Sequence, residues 1–282
     1  NGAGVYTIKG GSIDLRYSRF ASSAGGSVAN QINVDLDRIT LSSGITLTEV
    51  KGDLNTSGGL SGSFSGLVNG GAPVVGILAP QSGGTAVRFT SNDAGAVLRS
   101  SGLFKTAYGG RMDLILTPGE AVGQYLGALA VQQTRVRKAP ALAELLSAIS
   151  VIGLLEQLGG DGIAFSTIDA RFLLTEKGVS LTQSSAVGAS MGITMQGAYD
   201  STAATMDMQG VITPIYVLNG LLEQTKIFGG LFGKQKGEGL FGFNYTLKGP
   251  VEDPKVGVNP LSILTPGLFR EIFRAPVPKV PE

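Results

Sequence analysis

Apolar and polar residues alternate with a period of two along most of this chain, the pattern of strands with one wet face. Ile13, Leu15 and Tyr17 are interleaved with Asp14, Arg16 and Ser18, and Ile32, Val34 and Leu36 with Asn33, Asp35 and Asp37. Ile39 follows Leu36 by three, which breaks the alternation and predicts a bulge before Leu41; the meander then runs through Ile45, Leu47, Val50 and Leu54. Between residues 58 and 71 glycine takes over, but Leu60, Phe64 and Val68 keep strand spacing, so this stretch reads as a closely approached strand pair rather than a linker. Strand pattern returns at Met112, Leu114 and Leu116, around Leu129 and Val131, at Ile163 and Phe165, and from Phe172 through a turn at Glu176-Lys177-Gly178 to Leu181.

Helical spacing interrupts this pattern. Asn92 or Asp93 can cap a short helix carrying Ala94, Val97 and Leu98 that Gly102 stops. The strongest helical stripe begins with Pro140 in its first turn, continues through Leu142, Leu145, Leu146, Ile149, Ile152 and Leu155 or Leu158, and ends at Gly159-Gly160. It predicts one long helix packed on a sheet. Thr213-Pro214 opens another with Val217, Leu218, Leu221 and Leu222 inward, and after a strand of Phe241, Phe243, Tyr245 and Leu247 and its partner Val256-Val258, Asn259-Pro260 and Thr265-Pro266 cap two more. The last carries Leu268, Phe269, Ile272 and Phe273, which reads as a cap on the sheet end, before a Pro-rich tail.

One hairpin has an unusual apolar face. With its turn near Asp200-Ser201-Thr202, it sets Ala189, Met191, Ile193 and Met195 against Ala204, Met206 and Met208, so that four of the five methionines share it. Methionine adapts to irregular apolar partners. The face therefore suits either gap-filling under a helix or contact with acyl chains.

Composition removes most reactive chemistry. The 282 residues include no His, Cys or Trp, so there is no imidazole base, thiolate nucleophile, zinc-thiolate site or disulfide. Charged residues are only 15% and the net charge is +1, which gives no footprint for nucleic acid. Asp35 and Asp37 share a strand face two residues apart, but this is the pattern of a solvated face, and Gly229-Gly230-Leu231-Phe232-Gly233-Lys234 lacks the Lys-Ser/Thr ending of a phosphate loop. No enzyme, cofactor or metal site is expected. Absence of cysteine fits an oxidising space such as a bacterial periplasm, and the abrupt start at Asn1-Gly2-Ala3-Gly4 predicts a piece of a longer protein.

The stretch LFGFNYTLKGPVEDPKVGVNPLSILTPGLFREIF near the C-terminus, with SNDAGAVLRSSGLFKTAYGGRMDLIL from Ser91, APALAELLSAISVIGLLEQLGGDGIAF from Ala139 and TPIYVLNGLLEQ from Thr213, resembles in order the AsmA-like C-terminal region of large bacterial envelope proteins of the AsmA and YhdP group. The resemblance covers roughly residues 85 to 275. It makes residues 85–275 an AsmA-like region, which follows the β-meander repeats read over residues 1–84 and precedes the Pro-rich tail over 276–282. The implied fold is mainly β with helices (α+β): a curved antiparallel sheet forming an apolar trough, with about four to five short helices packed on it and capping its C-terminal end. The implied role is non-enzymatic phospholipid transfer in the periplasm, tethered to the inner membrane by an upstream segment, with phospholipid acyl chains and the outer membrane or an outer-membrane protein as partners. A structural scaffold or assembly factor without lipid cargo is the alternative. Candidate groove residues are Ile13, Leu15, Tyr17, Ile32, Val34 and Leu36, far from the terminal helices, and Met191, Ile193, Met195, Met206 and Met208.

Overall fold

A computed structural model describes residues 4–15, 30–42, 44–82, 84–121, 123–214 and 242–259. The fold is mostly β, an open, largely antiparallel sheet with three short helices among the described residues. None of these helices is long and apolar enough to cross a membrane.

In chain order the elements are β1 (Val5–Lys9), β2 (Ser12–Asp14), β3 (Gln31–Thr40), β4 (Thr46–Asn55), β5 (Ser61–Val68), β6 (Ala72–Gln81), β7 (Gly84–Ser91), α1 (Ala94–Ser100), β8 (Ala107–Tyr108), β9 (Arg111–Pro118) and β10 (Tyr125–Val136). There follow α2 (Pro140–Ala148), α3 (Ile152–Gly159), β11 (Ile163–Thr175), β12 (Gly178–Val187), β13 (Met191–Asp200), β14 (Thr205–Pro214), β15 (Phe243–Pro250) and β16 (Lys255–Asn259). Strand order is β1-β3-β4-β5-β6-β7-β9-β10-β11-β12-β13-β14-β15-β16, with β2 beside β3 and β8 beside β10. Almost every strand thus pairs with its sequence neighbour, as short turns require. The chain divides into two compact units, Asn1–Arg135 with Arg171–Val179, and Val136–Ala170 with Ser180–Glu282.

In the first unit β1 and β2 run parallel to β3, and β3 through β10 continue antiparallel. The bulge expected after Leu36 is a feature of two strands. Opposite Asp37, Glu49 adopts φ 52°, and the register of β4 against β5 shifts between Thr48 and Lys51. Leu47 and Val50 repeat the three-residue spacing of Leu36 and Ile39, so Leu36, Leu47 and Val50 all stay buried across the irregularity. Helix α1 forms where the sequence predicts it. Asp93 is its cap, accepting a 2.8 Å hydrogen bond from the Ala96 amide, and Gly102 follows its end at φ 74°. Its Ala94 and Val97 lie buried at the end of the sheet that buries Leu47, Val68, Ala72 and Val74.

In the second unit the single helix expected from Pro140 is two. Ser150 takes φ 59°, the Ser150 amide donates to the Ser147 carbonyl, and the Val151 amide donates to the Leu146 carbonyl. These are the two reversed bonds of a Schellman stop, made here with serine in the place that glycine usually takes. Restarting at Ile152 changes the phase of the stripe, so Ile152 is 69% exposed while Leu154 and Leu158 face inward with Leu145 and Leu146. They close over the apolar side of the strands, where Ile163, Phe165, Met191, Ile212 and Tyr245 are buried. The helix expected to open at Thr213-Pro214 does not begin there, because both residues are the last of β14; its other residues lie outside the described residues, as do the helices expected after Pro260 and Pro266.

Tyr245 ties three strands of this unit. Directly opposite it on β14 is Gly210, whose missing side chain lets the tyrosine lie across the strand and donate from its hydroxyl to the Thr194 carbonyl on β13 at 2.9 Å. Burial pushes the Tyr245 phenol well above its ordinary range. The unfolded chain ionises near pH 10 while the folded chain holds the proton, so this tyrosine's contribution to stability is complete below about pH 10 and is lost as pH rises further. Tyr245→Phe is expected to cost about 1 kcal/mol at neutral pH and to flatten the alkaline loss in denaturant titrations; an unchanged alkaline slope would contradict this.

Candidate apolar binding face

Cross-strand register in the first unit assembles two successive rows that contain no charged residue. One runs Tyr6, Ile32, Leu54, Gly62, Leu78, Val87, Leu116, Gly127 across β1, β3, β4, β5, β6, β7, β9 and β10. The next runs Ile8, Val34, Gly52, Phe64, Gly76, Phe89, Leu114, Leu129 across the same strands. Residues directly opposite in adjacent strands point to the same side, so both rows line one face. The row between them, Thr7, Asn33, Asp53, Ser63, Ile77, Arg88, Ile115, Ala128, points to the other side and carries the polar groups. On that side Arg88 holds Asp113 through Nε at 2.9 Å and through a second bond from Nη2, and the carboxylate beside it raises the Arg88 pKa.

Glycine and aromatic residues alternate within the apolar rows for a steric reason. A methyl group at Gly76 would meet Cζ of Phe64 at 2.1 Å, so the Phe64 ring lies across β6, and it meets Phe89 edge-on at 5.8 Å between centroids. Gly127 lies under the Phe172 ring in the same way, with 2.2 Å to the nearest ring carbons from a built Cβ. Rings over glycine restore to the sheet the cover that glycine removes. The rest of this face is half-buried: Ile32, Val34, Leu54, Val87, Leu114, Leu116 and Leu129 are neither exposed nor closed over, and Tyr6 and Ile8 at the edge are 57% and 42% exposed. Among the described residues of this unit, α1 is the helix that packs on the sheet, and it does so at the Ala72–Val74 end.

The residues expected from sequence to line a groove divide between the two units. Ile32 and Val34 lie on the half-buried face, and Leu36 lies beside them but buried. The strand expected to carry Ile13, Leu15 and Tyr17 is only three residues long: Ile13 is exposed on β2 opposite Ile39, Leu15 follows the strand half-buried, and Tyr17 lies outside the described residues. The methionine hairpin forms with Met191, Ile193, Met195, Met206 and Met208 on one face, as their register partners Pro214, Ile212, Gly210, Tyr199 and Gly197 establish. Its turn is longer than expected, Ser201 to Ala204, and Ala189 precedes the strand. Met191 is fully buried and Met208 nearly so, while Ile193, Met195 and Met206 are half-buried. At Met191 and Ile193 the cover is the packed cluster of α2 and α3.

Local periodicity puts Leu54, Phe64, Leu114, Leu116, Leu129 and Phe172 on strands without assigning them to the face, and does not single out Tyr6, Ile8, Leu78, Val87 and Phe89. Strand β6 hides the signal. Its inward Ala72, Val74, Gly76 and Leu78 are buried, but Val75 and Ile77 on the other side are also apolar, at 50% and 48% exposure, so the strand shows no clean alternation. Asp37 uses a carboxylate oxygen to accept the Gly11 amide at 2.8 Å, a structural tie between the β1–β2 turn and β3. Among the described residues no group of three or more Asp and Glu is placed to hold a metal ion, and the glycine run 229–234 lies outside them. Comparison with family models, curated proteins and solved structures found no match to the chain.

The ring-over-glycine contact is testable by a double-mutant cycle. Gly76→Ala is expected to destabilise by about 1–3 kcal/mol, the range for overpacking, and much less when combined with Phe64→Ala, read from denaturant midpoints. Strictly additive effects would mean that the ring does not lie on β6.

Proposed function

We propose that the half-buried face of the first unit receives the acyl chains of phospholipids, and that the chain is part of a non-enzymatic lipid-transfer protein of the AsmA-like kind. The observation that carries the reading is the pair of uncharged rows running across eight strands with no complete covering layer among the described residues. A curved sheet would turn these rows into a trough. Each methylene taken from water onto such a surface contributes about 0.8 kcal/mol, so one acyl chain suffices for binding without any charged anchor. Rows of equivalent apolar sites also let a chain shift along the surface, because no single position holds it much more strongly than the next. Transfer of this kind uses no nucleophile, base or metal, in keeping with a sequence lacking His and Cys. The order of motifs resembling the AsmA-like region supports placing the protein in the bacterial periplasm, tethered through an upstream segment and delivering toward the outer membrane.

The reading is tested on the purified protein. Solvent extraction and mass spectrometry are expected to recover phospholipid, and a fluorescent phospholipid is expected to bind saturably. Val34→Glu with Leu116→Glu should weaken that binding about tenfold or more with the strand circular dichroism retained, whereas Ser63→Glu on the opposite side should not. Absence of both co-purifying lipid and saturable binding would leave a scaffold without lipid cargo as the function.

A further inference from the structure

The segment joining α1 to β9 presents three large apolar side chains at its surface: Leu103 is 57% exposed, Phe104 41% and Tyr108 43%. Two of them are adjacent in sequence at the tip of a loop, where a soluble surface gains nothing from them. Their support is firm. The Ser101 amide donates to the Val97 carbonyl, the Gly102 amide to the Arg99 carbonyl at 3.0 Å, and the Phe104 amide reaches back to the Leu98 carbonyl at 3.1 Å. Arg99 donates to the Ala107 carbonyl and stacks its guanidinium over the Tyr108 ring at 4.7 Å. One turn earlier on α1, Gly95 brings the helix against the backbone of Tyr108, where a Cβ would stand 2.5 Å from the Tyr108 Cα. The loop is therefore held out by a helix end and a short strand.

Charge distinguishes this tip from the chain around it. From Ala94 to Met112 the sequence holds Arg99, Lys105 and Arg111 and no Asp or Glu, +3 in a chain whose net charge is +1. The carbonyl and aromatic ring contacted by Arg99, and the amide oxygen of Gln132 contacted by Arg111 at 3.2 Å, are uncharged and cancel neither positive charge. Leucine and phenylalanine at a tip, a tyrosine with a polar end beside them, and cationic groups behind them match the layers of a bilayer surface: acyl chains, interface, anionic head groups. We propose that Leu103, Phe104 and Tyr108 form a membrane-docking tip that inserts into an anionic lipid surface, with the net positive charge of the segment toward the head groups. The tip follows α1, the helix that covers the Ala72–Val74 end of the apolar face. The proposal does not require that face to carry lipid.

Flotation with unilamellar vesicles tests it, using phosphatidylcholine alone and phosphatidylcholine mixed with phosphatidylglycerol. The wild-type chain is expected to float with the mixed vesicles, more weakly with phosphatidylcholine alone, and less as salt is raised. Leu103→Ser with Phe104→Ser is expected to lower binding about tenfold or more with an unchanged melting temperature, and Lys105→Glu to lower it several-fold. Ile152→Ser, which removes a still more exposed apolar side chain from α3, is expected to leave binding unchanged. The proposal is overturned if wild type floats with neither vesicle, if it binds both compositions alike, or if the double serine variant binds like wild type. Retention of co-purifying phospholipid by the double serine variant would keep the acyl-chain reading separate from this one.

Discussion

A β-strand sends every second side chain to the same side, and a sheet that repeats an apolar choice in register must find cover for the resulting face. This requirement organises both units. In the second, α2 and α3 close over Met191, Ile212 and Tyr245, and the stripe of Leu145, Leu146, Leu154 and Leu158 is the lid. In the first, among the described residues, α1 covers one end and the remainder is covered by its own aromatic rings, Phe64 over Gly76 and Phe172 over Gly127. Glycine in these strands is a seat for a ring as much as a flexible point, and Gly210 under Tyr245 repeats the device with a hydroxyl that reaches a carbonyl one strand further.

The difference between the two solutions is the basis of the functional reading. A face closed by helices has made its choice of partner in folding, whereas a half-buried face still gains free energy from an apolar visitor. Acyl chains suit it because the face offers breadth and no charge. The opposite side of the same strands carries Asp53, Arg88 and Asp113 and keeps the sheet wettable, so the two sides differ in what they can hold without any special residue being needed.

Much of this was legible in the sequence. The alternation at Ile32, Val34 and Leu36, the cap at Asp93, the methionine hairpin and the bulge after Leu36 all follow from local periodicity or local hydrogen bonding, and each forms. The failures have a common physical cause. Ser150 ends α2 in a left-handed conformation that glycine normally marks, so the periodicity from Leu142 to Leu158 reads as one continuous stripe and puts Ile152 on the buried side, whereas it is exposed. Strand β6 is apolar on both sides, which conceals its role in the face. Periodicity says which residues share a side, but not what lies above them; Met191 and Val34 have the same pattern, and only packing separates the covered one from the half-buried one. Tertiary cover is a property of residues distant in sequence, and the alternation of one strand contains no record of it.

The central claim is that one side of the first unit, and not the other, meets acyl chains. Photoreactive amino acids placed singly at Val34, Val87 and Leu116 and at Asp53, Ser63 and Arg88, followed by irradiation and mass spectrometry of the adducts, test it most directly. The account predicts phospholipid adducts at the first three positions and none above background at the second three. Equal labelling of the two sides, or adducts confined to Asp53, Ser63 and Arg88, would contradict it.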